Sequence, residues 1–147
     1  MPVDLNALAE ETAALVRPTA HKRGVTIVLH ADPALRPVPM DGPRIKQALL
    51  NLLLNAVQAS PASSEVTVAT RLAGGRAEAR VRDRGPGLSP EARRALFTPF
   101  ATTREGGTGR GLPIALAILE QHGGGLRLED APGGGTEAVA FLPGARA

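Results

Sequence analysis

The chain has 147 residues, 43% hydrophobic and 21% charged, which is the size and balance of one globular domain with a real core. Without cysteine it can have no disulfide, no thiolate catalysis and no cysteine metal site, and no apolar run is long enough to span a bilayer or open the chain as a signal peptide. The net charge of +3 comes from scattered arginines with few aromatics between them, so nucleic acid is not an expected partner; the lack of an apolar run speaks against membrane contact by this domain, and the absence of cysteine fits a cytoplasmic setting.

The spacing predicts an amphipathic helix over 4–20, with Leu5, Leu8, Leu15 and Val16 as its apolar face and Asp4 as cap; Pro18 should kink or end it. After Gly24, VTIVLHA reads as a strand from its β-branched content. A proline-spaced segment then leads past Asp41 into RIKQALLNLLLNAVQAS at 44–60. On a helix, Arg44, Gln47, Asn51, Asn55 and Gln58 fall within an arc of roughly 80°, and apolar residues cover most of the rest. A helix so nearly apolar all round is expected to be buried. Its polar stripe is either an ordinary wet face or one wall of a site. Neutral amides, rather than Lys and Glu, suit a ligand or metal.

EVTVATRL (65–72) and RAEARVRD (76–83) read as strands joined by AGG in a hairpin. A short helix is expected at 89–96, then a flexible stretch to Arg110 and a second buried helix at 111–122. GLRLED and GTEAVAFLP close the chain as another hairpin. There is no internal repeat and no linker that would divide two domains. Helices mixed with antiparallel hairpins predict a two-layer α/β sandwich.

In the second strand of the first hairpin, Ala77, Ala79, Val81 and Asp83 share one parity, and Arg76, Glu78, Arg80 and Arg82 share the other. The arginine face should be wet, which turns Asp83 inward at the strand's end. An inward carboxylate needs a partner. Asp83 either caps the RGPG turn that follows or accepts a hydrogen bond from an exocyclic amine such as the N6 of adenine. Gly85 and Gly87 would let the backbone approach a flat ring. Gly106, Gly107, Gly109 and Gly111 stand directly before a helix, where free N–H groups and the helix dipole favour an anion; a surface loop is the plainer alternative. No Gly-Lys-Ser/Thr follows, so this is not a P-loop. Phe97 and Phe100 could pin the base of a lid over 101–110, and Arg104 is the cation placed to reach a phosphate. PGGGT puts Thr136 at the start of the last strand, in what is otherwise a hairpin turn.

Taken in order, the asparagine run at 51–55, DRGPG at 83–87, LFTPF at 96–100, GGTGRGL at 106–112 and GGGT at 133–136 resemble the ATP-binding catalytic domain of sensor histidine kinases, in the GHKL superfamily with the Bergerat fold. NAVQAS and FATTREGGTG are similar to nitrogen-regulation-type kinases. The resemblance spans nearly the whole chain. It implies a mixed, largely antiparallel sheet with a mobile ATP lid, and a domain that moves the γ-phosphoryl of ATP to a histidine held elsewhere. It further implies that Asn55 ligates Mg²⁺ through its amide oxygen, that Asn51 helps to place metal or phosphates, and that Asp83 reads adenine, with Thr136 aiding through water and Gly85 and Gly87 near the ring. Gly107, Gly109 and Gly111 would wrap the phosphates with Leu112 beneath them, and Thr102, Thr103, Arg104, Thr108 and Arg110 would join the nucleotide contacts.

Relatives of the gyrase and mismatch-repair kind carry Glu where Asn51 stands, and an amide cannot activate water as that Glu does. The resemblance therefore favours transfer to a protein histidine over hydrolysis. Arg110 replaces a residue that is usually apolar, Gln58 stands where many relatives have Lys or Arg, and Pro113 is tolerated in a first helical turn. None of His21, His30 and His122 sits in a phosphoacceptor motif, and His122 reads as structural at its helix end. The expected partners are thus a histidine-containing dimerisation domain and a response regulator downstream, with sensor and dimerisation parts outside this chain. A non-catalytic nucleotide-binding module and an anti-sigma-type serine kinase are the alternatives.

Overall fold

Asp4 opens the first helix, α1 (Leu5–Lys22), by accepting the N–H groups of Asn6 and Ala7 on its side chain. The computed structural model describes residues 2–85, 111–131 and 134–143. Pro18 does not end α1 as expected, and the helix runs on to Lys22. The hydrogen bond that proline cannot make would have gone to the Ala14 carbonyl; both residues are exposed, so water can take that carbonyl.

Two very short strands, β1 (Pro2–Val3) and β3 (Val38–Pro39), pair antiparallel on either side of β2 (Val25–His30) in sequence. The asparagine helix α2 (Gly42–Ala59) starts at Asp41, whose side chain accepts the Arg44 N–H. Next come β4 (Ser64–Ala73) and β5 (Arg76–Arg82). The turn between them uses Gly74 and Gly75 at φ +57 and +78, as a tight hairpin of this hand requires. Beyond the undescribed stretch lie α3 (Gly111–Gln121), β6 (Gly125–Asp130) and β7 (Thr136–Leu142). The helix expected at 89–96 falls outside the described residues.

The main sheet has five strands in the order β2-β4-β5-β7-β6, with β2 parallel to β4 and every other pair antiparallel. All three described helices pack on one face: α1 on β2 and β4, α2 on β4 and β5, α3 on β6 and β7. This is the expected two-layer arrangement. The core between the layers is aliphatic, with Leu52, Leu53, Val66, Val81, Ile118 and Leu119 among its buried members. α2 lies between α1 and α3, which explains its apolar circumference. α3 is less buried than its composition implies: Ile114 stays exposed, because the sheet and α2 cover only one side of it.

The uncovered sheet face corrects another expectation. It is not simply wet, since Glu78 is only 2% exposed there. Arg80 Nε lies 3.3 Å and Arg71 Nε 3.7 Å from Glu78 Oε1, and Arg80 also reaches Glu137 at 2.8 Å. Arg76 and Arg127 stack on the Phe141 ring, at 4.7 and 5.8 Å from its centroid. Long arginine stems spread over the sheet and exclude water from the acid between them. Burial works against the charge on Arg80, but Glu137 and Glu78 outweigh it and raise its pKa.

At the sheet rim near the start of α1, Asp32 accepts the N–H groups of Leu72 and Ala34, and Asn6 and Thr70 complete a polar cluster around it. The two backbone donors, Leu72 foremost, hold the Asp32 carboxyl below its ordinary pKa.

Candidate functional site

The polar stripe of α2 divides along its length. Arg44 and Gln47, in the N-terminal half, are exposed, and Arg44 is bonded to Gln121 Oε1 at 3.0 Å. Asn51, Asn55 and Gln58 are half-buried. The wet-face reading of the stripe therefore holds for the N-terminal half of the helix, while the C-terminal half is partly covered. Asn51 Nδ2 and Gln58 Oε1 are buried without a hydrogen-bond partner among the described residues, an arrangement that costs free energy unless something else completes it.

Parity places Asp83 as expected, one residue past β5, turned toward the helices and 6% exposed. Its Oδ1 accepts the N–H of Gly85 at 2.9 Å and the N–H of Thr136 at 3.1 Å. Its own N–H donates to the Thr136 carbonyl at 2.9 Å. The carboxylate therefore caps the turn, as one of the two sequence readings expects, and also lines the pocket described below. Oδ1 closes the turn, while among the described residues no hydrogen bond goes to Oδ2.

Two glycines make this packing possible. A Cβ on Gly135 would land on the Asp83 carbonyl, and Gly135 also has φ +89. A Cβ on Gly85 would lie 2.5 Å from the Ala59 carbonyl. The close approach that Gly85 permits among the described residues is thus to the end of α2.

A small pocket opens beside Asp83, lined by Leu52, Asn55, Ala56, Val81, Asp83, Leu112, Leu128, Thr136 and Ala138. Most of its lining residues are aliphatic, with a few convergent polar groups among them, a composition common in small-molecule sites. The described residues hold no cluster of three or more His, Cys, Asp or Glu, so a cation here would depend on amide oxygens and on the ligand itself. Asn55 offers an oxygen of the kind Mg²⁺ takes.

Of the sequence-predicted site residues, the fold brings Asn55, Asp83, Leu112 and Thr136 together around this pocket. Asn51 lies one turn before Asn55, Gly85 follows Asp83, and Gly111 opens α3 beside Leu112. Gly87, Thr102, Thr103, Arg104, Gly107, Thr108, Gly109 and Arg110 lie outside the described residues.

Residues 40–146 match the family model described as histidine kinase-, DNA gyrase B- and HSP90-like ATPase. The chain belongs to this ATPase family. Among curated relatives it is 42% identical to the sensor histidine kinase ZraS of Klebsiella oxytoca, over 96% of this chain and 31% of that protein. It is 38% identical to the sensory histidine kinase/phosphatase NtrB of Salmonella typhimurium, over 95% of this chain and 42% of NtrB. The chain thus spans well under half the length of these relatives. The catalytic domain of histidine kinase ThkA, in a nucleotide-free form, superposes with a TM-score of 0.88 at 28% identity, covering 98% of this chain and 95% of that one. Full-length ShkA in complex with AMPPNP superposes with a TM-score of 0.87 at 32% identity, over all of this chain and 31% of ShkA.

Within this ATPase-family domain, sequence reasoning missed Leu52, Ala56, Val81, Leu128 and Ala138 as pocket walls. Periodicity held the signal for most of them. Val81 and Ala138 are two residues from Asp83 and Thr136 on the same strand face, and Leu52 is one helical turn before Asn55. Leu128 needed the β6–β7 register, in which it pairs with Ala138.

Proposed function

We propose that this domain binds Mg·ATP, with adenine against Asp83, and delivers the γ-phosphoryl group to a histidine on a separate dimerisation domain, from which a response regulator is charged. The observation that carries this reading is the inward Asp83 carboxylate, tied down through Oδ1 and with no hydrogen bond to Oδ2 among the described residues, in a pocket whose helical wall presents Asn55. An acceptor at that position pairs with the N6 amino group of adenine and faces the carbonyl oxygen of guanine unfavourably. Thr136 fixes the carboxylate, Leu112 and Val81 provide walls, and Asn55 is the metal ligand, with Asn51 one turn away to place phosphate or metal. Mg²⁺, when bound, supplies charge neutralisation across the phosphates. On the phosphate side the reading assigns Gly107, Gly109, Gly111 and Arg104, with Thr102, Thr103, Thr108 and Arg110.

In the transfer, a histidine ring nitrogen forms the new P–N bond, the bond from the γ-phosphorus to the bridging oxygen breaks, and ADP leaves with those electrons. The amide of Asn51 accepts no proton at neutral pH, so it does not prepare water for the same attack. Of the three histidines, His122 already has both ring nitrogens engaged, Nδ1 by the Ile118 carbonyl and Nε2 by the Asp41 N–H, and neither His21 nor His30 stands in a phosphoacceptor motif. No described helix is long and apolar enough to cross a membrane, and the proposed setting of the domain is the cytoplasm.

The test combines the chain with a histidine-bearing dimerisation domain of the NtrB or ZraS type and ATP labelled in its γ-phosphate. Acid-labile, base-stable label on the histidine, with no measurable hydrolysis by the chain alone, is the expected result. Saturable ATP binding without transfer would replace this reading with a non-catalytic nucleotide module. Rapid ATP turnover by the chain alone would overturn the role given to Asn51.

A further inference from the structure

The helix that carries Asn51 and Asn55 ends beside the turn that carries Asp83, and a single hydroxyl joins the two. Ser60 is the C-cap of α2 and is 7% exposed. Its Oγ donates to the Ala56 carbonyl at 2.9 Å and accepts the Arg84 N–H at 3.3 Å. That N–H belongs to the peptide bond immediately after Asp83. Asp83 is also held by Thr136, which bonds both its N–H and its Oδ1, and its carbonyl lies close against Gly135. Ser60 supplies the hold from the α2 side, next to the tight contact of Ala59 with Gly85.

A helix C-terminus asks for no serine, since glycine or asparagine in a left-handed conformation is the usual ending. Ser60 itself has φ −85 and ψ 139, an ordinary extended conformation that any residue adopts. Neither capping nor backbone strain explains a buried hydroxyl here. What needs it is the pair of simultaneous bonds, one donated back into α2 and one accepted from the Asp83–Arg84 peptide. A hydroxyl can do both at once.

We propose that Ser60 is a positioning residue of the nucleotide site, one that sets the aim of the Asp83 carboxylate relative to the asparagines of α2. It rests on the reading of Asp83 as the adenine acceptor. Without the hydroxyl, the Arg84 N–H loses its partner and the peptide after Asp83 is free to turn. Hydrogen bonds weaken steeply with misalignment, so the Oδ2 bond to the amino group suffers first. Contacts to sugar and phosphates do not pass through this peptide and are unaffected.

The experiment is calorimetric titration in Mg²⁺ with two ligands, ATP and purine-riboside triphosphate, which is ATP without its amino group. Wild type, Ser60→Ala, Ser60→Thr, Ser60→Cys and Asp83→Asn are compared, with circular dichroism to establish that each is folded. Wild type should prefer ATP. Ser60→Ala should lose about five- to tenfold in ATP affinity, the worth of one hydrogen bond, with the analogue changed by less than about twofold. Ser60→Thr keeps the hydroxyl and should restore the preference. Ser60→Cys keeps the volume but accepts poorly, so it should follow Ser60→Ala and carries the test should alanine fail to fold. In an Asp83→Asn background, Ser60→Ala should add nothing further to the ratio. Equal loss for both ligands, or no loss for either, overturns the positioning role while leaving the adenine reading intact. No preference for ATP in the wild type means that the adenine reading itself has failed, and the role of Ser60 falls with it.

Discussion

Asp83→Asn changes one atom of the site and almost none of its shape. The Oδ1 position must remain an oxygen, because it faces the N–H groups of Gly85 and Thr136 at 2.9 and 3.1 Å. The asparagine amide is thereby oriented with its NH₂ toward the pocket. Toward adenine, a charged acceptor becomes a donor. A hydrogen bond to a charged group is worth about 1.5–3 kcal/mol, and the amino group left unpaired adds roughly another 1 kcal/mol. Together these predict a fall of about two to three orders of magnitude in affinity for Mg·ATP. The two bonds to Oδ1 weaken from charged to neutral, by roughly 0.5–1 kcal/mol each. For a chain of this length that lowers Tm by only about 2–8 °C. Guanine carries an acceptor where adenine carries its amine, so Mg·GTP should lose far less than Mg·ATP and the gap between them should narrow. Titration calorimetry with both nucleotides, paired with thermal melts, measures all three effects. An ATP affinity within about threefold of wild type in a folded variant would refute the reasoning and leave Asp83 as a turn residue alone.

Gly135→Ala forces φ +89 on an alanine and drives its Cβ into the Asp83 carbonyl, so urea unfolding should show a loss of about 2 kcal/mol or more. Gly74→Ala, at φ +57 with open space around it, should cost only about 1 kcal/mol, and equal losses for the two would refute the clash. Because the folded-state pKa of Asp32 lies below its ordinary value, its stabilisation is full above the unfolded pKa and is lost as pH falls through the folded one. The stability difference between wild type and Asp32→Asn should therefore be greatest near neutral pH and shrink below about pH 4, as denaturant melts across pH would record. His122→Ala removes the ring contact to the Asp41 N–H at 3.1 Å, which joins the end of α3 to the start of α2, together with the contact of the other ring nitrogen to the Ile118 carbonyl of α3 at 2.9 Å, and should cost about 1–2 kcal/mol in the same assay; an unchanged midpoint would rule out the clamp.

Most elements were legible in the chain because each obeys a local rule. Asp4 and Asp41 mark helix starts, the AGG turn marks a hairpin, and the alternation of β5 turns Asp83 inward before any tertiary contact is known. What escaped depends on neighbours far away in sequence. Pro18 ends a helix only where its lost hydrogen bond would be buried, and the exposure of Ala14 decides otherwise. Glu78 alternates like a surface residue, yet Arg71 and Arg80 close over it from the adjacent strand and its own. The β1–β3 pairing is two residues long on each side and carries no periodicity. Ser60 looks like any polar residue after a helix until Arg84 is seen to bond to it.

β5, the strand that delivers Asp83, is the middle strand of the five. The amide proton of Asp83, bonded to Thr136, sits where local fraying from either sheet edge arrives last. Such protons exchange with solvent mainly when the whole domain opens. A ligand that binds only the closed form suppresses that opening by RT ln(1 + L/Kd), with L its free concentration. Slowly exchanging amides across β5 and β7 should thus record occupancy of the pocket in common, including amides that no ligand atom touches, and deuterium uptake of the sheet becomes a measure of nucleotide affinity.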